Sequence, residues 1–177
     1  MKIMVINGSP REKSLTGTLA DRAEQKLVRE GATVIRFDVG QAEVPLFRGG
    51  TEGEAEIVRQ LKEDALSVDG FFICTPEYHN GISGALKNVL DFLNGSHFKG
   101  KPTAIAAAAG GGRSGINALN NLRLVLRGLY AWVLPSQIVV DSGSFDMKGE
   151  WSDPEIRERM DNLGADLVHA VRALGNR

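Results

Sequence analysis

Three stretches of this chain combine residue types that can do chemistry at close spacing. The first is Lys2 to Thr18, KIMVINGSPREKSLTGT. Ile3 to Ile6 is a short apolar run that reads as a buried strand, and Asn7-Gly8 ends it. Ser9 to Thr16 is then small, hydroxylated and basic, after which Leu15, Leu19, Ala23 and Leu27 recur at helical spacing. A strand that runs through such a loop into a helix points free backbone N–H groups and a helix dipole at one spot, which binds anions. Ser9, Ser14, Thr16 and Thr18 can add hydroxyl donors, and Arg11 a fork that matches a phosphate. The same residues also suit an ordinary strand-to-helix turn, with Ser14 or Thr16 as the cap and Arg11 in solvent. No Gly-Lys-Ser/Thr opens the helix, which argues against a nucleoside triphosphatase.

The second stretch is Thr75 to Ser83, TPEYHNGIS, and the third is Gly110 to Gly115, GGGRSG. Tyr78 can flank a planar ring. A run of glycines lets backbone approach a flat ring edge and donate N–H bonds. Arg113 then stands where a charge meets that edge or a second ligand's phosphate. Read alone, Tyr78 and His79 also fit surface positions of a polar loop. The histidines, His79, His97 and His169, show no metal-ligand spacing. Cys74 lies at the end of an apolar run and reads as a small core residue, not a nucleophile. Ser9 lacks the Gly-x-Ser-x-Gly elbow, and no catalytic triad emerges. A rival reading takes Gly110, Gly112 and Gly115 as a G-x-G-x-x-G dinucleotide fingerprint with Asp141 ending the next strand. It leaves the first two loops unexplained.

The elements that position these loops follow from periodicity. The pattern predicts strands at Ile3–Ile6, Thr33–Val39, Phe71–Cys74, Pro102–Ala109 and Val133–Asp141. It predicts helices at about Leu15–Glu30, Glu52–Ser67, from Ser83 or Gly84 to a stop at Asn94-Gly95, Ile116–Leu129, and from Asp153-Pro154 to about Leu174. Val44, Leu46 and Phe47 are expected to tuck under an irregular segment, and Leu66 to share the buried face of the second helix. Five alternating units imply an α/β three-layer sandwich with a parallel sheet, in the flavodoxin-like order 2-1-3-4-5. In that order ligands sit at the carboxyl ends of strands near the switch between strands 1 and 3. The three unusual loops follow strands 1, 3 and 4. Together they point to a flat ligand bearing a phosphate.

Composition narrows the class. With 177 residues, 42% apolar and 24% charged, the chain suits one domain with a real core over residues 1–177. A net charge of −1 offers nothing to nucleic acid or an anionic membrane. Apolar runs are too short for a bilayer span, the first strand leaves no room for a signal peptide, and the single cysteine excludes an internal disulfide. A cytoplasmic protein is expected.

Gly8-Ser9-Pro10-Arg11 with Ser14 and Thr16, then Thr75-Pro76-Glu77-Tyr78-His79-Asn80-Gly81 leading to Gly84-Ala85-Leu86-Lys87-Asn88 and Asp91, resembles the NADPH-dependent FMN reductase family. That family includes flavin, quinone, azo-dye and chromate reductases. The resemblance extends through Gly110-Gly111-Gly112 to about Ser142. It implies non-covalent FMN, NADPH or NADH as reductant, small-molecule electron acceptors, and no side chain acting as acid or base. It places Ser9, Arg11, Ser14, Leu15 (through its backbone) and Thr16 around the FMN phosphate. Pro76, Glu77, Tyr78 and His79 would lie along the flavin ring and Gly110, Gly111 and Gly112 at its pyrimidine edge. Asn80 and Arg113 would face NADPH or the acceptor. Relatives of this kind are homodimers or homotetramers, with Phe92, Tyr130 and Trp132 as candidate contacts. His79 stands where others carry Asn, which bears on acceptor choice. A flavodoxin-type electron carrier is the alternative, but such carriers are strongly acidic. A response regulator would need clustered acids where this chain has Asn7-Gly8-Ser9.

Overall fold

Alternation along each strand decides the architecture. In a computed structural model, which describes residues 1–110 and 115–175, five parallel strands form one sheet: β1 (Lys2–Asn7), β2 (Thr33–Asp38), β3 (Gly70–Pro76), β4 (Pro102–Ala108) and β5 (Trp132–Val140). Their order is β2-β1-β3-β4-β5, as the sequence pattern implied. Ile3 pairs with Val34 on one side and Gly70 on the other, and Phe71 pairs with Thr103. The register slips between Thr103 and Ile105 against β5, next to Pro135.

Successive side chains point to opposite faces, so strands this apolar need cover on both. Ile3, Val5, Phe72, Cys74, Ala104 and Ala106 face α1 (Leu15–Arg29) and α6 (Pro154–Gly175). Met4, Ile6, Phe71, Ile73, Ile105 and Ala107 face α2 (Glu56–Ser67), α3 (Gly84–Asp91) and α5 (Ile116–Gly128). The result is the expected α/β/α sandwich.

Several boundaries differ from those the pattern implied. β3 runs on through Pro76, because Thr75 and Pro76 still pair with Ala107 and Ala108. α2 starts at Glu56, not Glu52: the Glu52 carboxylate turns back to accept the N–H of Gly50 at 3.1 Å and that of Arg48, leaving a 3-10 turn at Thr51–Glu54. Leu66 is exposed, and α2 buries Val58, Leu61 and Ala65. Leu46 and Phe47 are also exposed, with only Val44 packed on the core. Their segment is held by polar bonds instead, Phe47 N–H to Asn88 Oδ1 at 2.8 Å and Asn88 Nδ2 to the Pro45 carbonyl at 2.9 Å. Phe47 meets the buried Phe92 edge-on at 5.1 Å.

Asn94-Gly95 is not a stop. Asn94 caps one more helical turn, α4 (Gly95–Phe98), accepting Ser96 N–H at 2.9 Å, because Asn serves equally well as an N-cap. Reciprocally, Asn94 N–H donates to His97 Nδ1 at 3.1 Å. Burial lowers the His97 pKa from 6.5 and the charges of Lys101 and Lys62 add to this, whereas the Asn94 carbonyl, 3.3 Å from Nδ1, opposes it. Folding thus favours neutral His97. Its contribution is full above pH 6.5 and is lost as pH falls, because the unfolded chain takes up a proton the folded one resists. Urea titrations from pH 7.5 to 5 should show wild type losing more stability than His97→Gln; equal losses would contradict this role.

Candidate functional site

The carboxyl ends of β1, β3 and β4 meet at a cavity of about 270 Å³. The first loop contributes Ser9, Arg11, Ser14, Leu15 and Thr16, the second Pro76, Glu77 and Tyr78, and the third Gly110. These residues, separated by up to a hundred positions in sequence, were all expected at one site, and the fold brings them together.

Ser9 and Thr16 are buried, whereas Arg11 is exposed. Ser14 is the N-cap of α1, its Oγ accepting Gly17 N–H at 2.9 Å. One orphan donor of the helix start is thereby met. The N–H groups of Leu15 and Thr16 find no acceptor among the described residues, so the end of the helix keeps donors for a ligand. The path into the helix is pinned by a polar relay that periodicity does not reveal. Ser9 N–H donates to Asn7 Oδ1 at 3.1 Å, and Asn7 Nδ2 donates to Asp38 Oδ1 at 2.6 Å. Asp38 in turn accepts from Arg36 Nε at 2.9 Å, and Arg36 also pairs with Asp21 at 3.2 Å. Burial works against the Arg36 charge, but Asp38 and Asp21 outweigh it and hold its pKa above the usual value.

The second loop is a tight turn. Tyr78 and Gly81 exchange N–H···O bonds of 2.9 and 3.0 Å around His79 and Asn80, whose φ angles are 51° and 65°. Two left-handed central residues are the signature of a type I′ turn. Asn tolerates that conformation, whereas His adopts it at a steric cost of about 1 kcal/mol. His79 stands at the exposed tip, outside the cavity, in an adjoining open hollow of about 540 Å³ shared with Pro10, Arg11, Glu77 and Tyr78. The Arg11 guanidinium lies over the Tyr78 ring, 5.6 Å from its centre, and links the first loop to the second. Asn80 lines neither space; its Oδ1 accepts from Asn117 Nδ2 at 3.1 Å. The Glu77 carboxylate is turned to α5, where Oε2 accepts Ala118 N–H at 3.0 Å.

Gly111, Gly112 and Arg113 lie outside the described residues. Lys13, Ala108, Ala109 and Ser142 also line the cavity. Ala108 and Ala109 are legible as the end of β4. Ser142, after β5, carries no signal that separates it from other loop serines.

This geometry is that of a sheet with a strand–loop–helix and unmet N–H donors at its switch point, and comparison with known proteins narrows it. The family model for NADPH-dependent FMN reductase matches residues 1–145. The chain belongs to the NADPH-dependent FMN reductase family. It is 44% identical over 178 residues to an NADPH azoreductase of Bacillus sp. (strain OY1-2), covering 98% of this chain and 92% of that one. An FMN-dependent NADPH-azoreductase of Staphylococcus aureus is 36% identical over 152 residues, covering 82% of this chain and 79% of the relative. Among solved structures, a flavoenzyme NAD(P)H:(acceptor) oxidoreductase from Paracoccus denitrificans superposes with a TM-score of 0.82 at 23% identity, covering 97% of both chains. An archaeal flavodoxin gives 0.68 at 15% identity, covering 97% and 99%; at these identities the likeness is one of fold. As a member of this family, the protein is an oxidoreductase that uses FMN, with NADPH as reductant. The G-x-G-x-x-G rival reading falls with that assignment.

Cys74, the chain's one cysteine, ends up fully buried beside the site. Burial pushes its thiol up to about 12. At neutral pH the thiolate is therefore negligible, and the residue packs instead of reacting. Iodoacetamide at pH 7.5 should leave Cys74 unlabelled in the native protein and label it in urea, as read by mass spectrometry. Native labelling would contradict this.

Proposed function

We propose that the three loops hold FMN non-covalently and that the protein reduces small planar acceptors, of the azo, quinone or flavin kind, at the expense of NADPH or NADH. The observation that carries this reading is the start of α1. Leu15 and Thr16, whose N–H groups have no acceptor among the described residues, line one cavity with Ser14 and Arg11, and Tyr78 adds an aromatic ring to the same lining. Donors with no internal acceptor beside an exposed cation fit a dianionic phosphate, and a flat wall fits a flavin ring.

When bound, FMN would supply the two-electron chemistry between nicotinamide and acceptor. The chain's own residues bind and orient. Ser9, Arg11, Ser14, Leu15 and Thr16 grip the phosphate. Pro76, Tyr78 and the backbone of Glu77 border the ring from the cavity, His79 borders it from the adjoining hollow, and Gly110 lies at its pyrimidine edge. No side chain need move a proton for hydride to arrive. Relatives named for azo-dye reduction support acceptors of that class. The open hollow beside Tyr78 and His79 leaves room for them.

Assembly as a homodimer or homotetramer in the cytoplasm belongs to the same reading. Tyr130 and Trp132 are 70% and 50% exposed, large for aromatic side chains facing water, whereas Phe92 is buried in the core. No helix among the described residues is long and apolar enough to cross a membrane.

The visible spectrum of the purified protein, followed by anaerobic NADPH, tests the reading. A flavin spectrum that bleaches is the expected result. A flavin that does not bleach would favour an electron carrier, and a protein that takes up no added FMN would overturn the assignment. Arg11→Ala should raise the FMN dissociation constant by about tenfold to a hundredfold, the size of a lost charge-assisted hydrogen bond. Unchanged affinity by fluorescence titration would remove Arg11 from the phosphate site.

A further inference from the structure

Helix α5 begins without a cap of its own. Its N-cap position is Gly115, which carries no side chain and has a φ of 101°. A Cβ there would stand 2.5 Å from Val139 Cγ1, so no other residue could serve. The missing acceptor comes from elsewhere: Glu77 Oε2 takes the Ala118 N–H at 3.0 Å from 41 residues earlier in the chain. A carboxylate at a helix start also suits the helix dipole.

The same loop is tied to the same helix twice more. Asn117 Nδ2 donates to Asn80 Oδ1 at 3.1 Å, and Ile82 N–H donates to Asn121 Oδ1 at 3.4 Å. Glu77 is distinct among these contacts because it reaches both ends of the third loop. Its backbone N–H donates to the Ala108 carbonyl at 3.0 Å, where β4 enters that loop, and its carboxylate meets α5, where the chain leaves it.

We propose that Glu77 is a positioning residue that holds the tyrosine loop against the first turn of α5 and against the cavity wall at Ala108, Ala109 and Gly110, and through that hold sets the grip on the flavin ring. The inference rests on the FMN reading above. It assigns the Glu77 carboxylate a task on protein backbone, in place of a contact along the ring. Removing the carboxylate frees the first turn of α5 to move relative to Tyr78.

The test compares Glu77→Ala and Glu77→Gln with wild type by two independent readouts. The first is deuterium exchange at the Ala118 amide in protein free of FMN. The second is the FMN dissociation constant, with the reduction potential of the bound flavin. Glu77→Ala should speed Ala118 exchange and weaken FMN by about fivefold, the size of a lost helix cap, with a displaced potential. Glu77→Gln keeps an acceptor oxygen and should restore most of both. Unchanged exchange in Glu77→Ala would overturn the cap whatever happens to FMN. Faster exchange with unchanged affinity and potential would reduce Glu77 to a structural cap and overturn the proposal. Gln failing as badly as Ala would mean that the charge acts directly on the flavin, which also overturns it. Wild type that binds no FMN would place the failure in the reading of the cavity, and the coupling to flavin would fall with it.

Discussion

The backbone of Gly8 is held from two sides, and the site depends on that hold. Its N–H donates to the Cys74 carbonyl at 2.8 Å, and its own carbonyl accepts from the Ser83 hydroxyl. A Cβ at this position would stand 2.7 Å from the Cys74 oxygen and 2.9 Å from Leu86 Cδ2. β1 can therefore leave the sheet against β3 only as glycine. Ser83 extends the junction, since the same Oγ caps α3 by accepting Leu86 N–H at 3.0 Å. One hydroxyl thus fixes the exit of the first loop and the start of the helix that follows the second. With strands ordered 2-1-3-4-5, that junction lies at the switch point, where crossovers depart to opposite faces and a cleft is left between them.

Around this junction the parts divide their labour. Apolar alternation on both faces of the sheet supplies the driving force for folding and fixes where strands end. Polar bonds then set the loops: the relay from Arg36 through Asp38 and Asn7 to Ser9 for the first, and the bonds from α5 to Glu77, Asn80 and Ile82 for the second. At the centre, the Leu15 and Thr16 N–H groups are placed by the scaffold and need no side chain of their own.

Much of this was legible in the sequence because it is local. A run such as Phe71 to Cys74 has one sensible environment, and strand–loop–helix order then dictates the sheet. The loops stood out by composition. What the sequence concealed is what joins distant positions. Glu77 looks like a ring-side residue until its carboxylate is seen on a backbone donor at Ala118, and a backbone donor leaves no mark in the sequence. Asn94-Gly95 reads as a terminator because Asn suits helix ends, yet His97 three residues on completes a capping box. Leu46 and Phe47 read as buried because they are apolar, but polar anchoring through Asn88 makes their burial unnecessary. His79 and Asn80 were seen as chemical groups, whereas their shared left-handed conformation makes them first a turn.

The placement of sulfur in this fold bears on a hazard of the chemistry. A reduced flavin that meets dioxygen in place of its acceptor yields peroxide, and the protein nearest that peroxide is the enzyme itself. Thiolates and thioethers are the side chains it attacks. Here Cys74, Met4 and Met160 are all withdrawn into the core, and the most exposed sulfur is that of Met147, in the loop after β5. Oxidation there would add a polar oxygen to a side chain that packs against nothing. An oxygen added at Met147 would therefore leave the packing of the core unchanged.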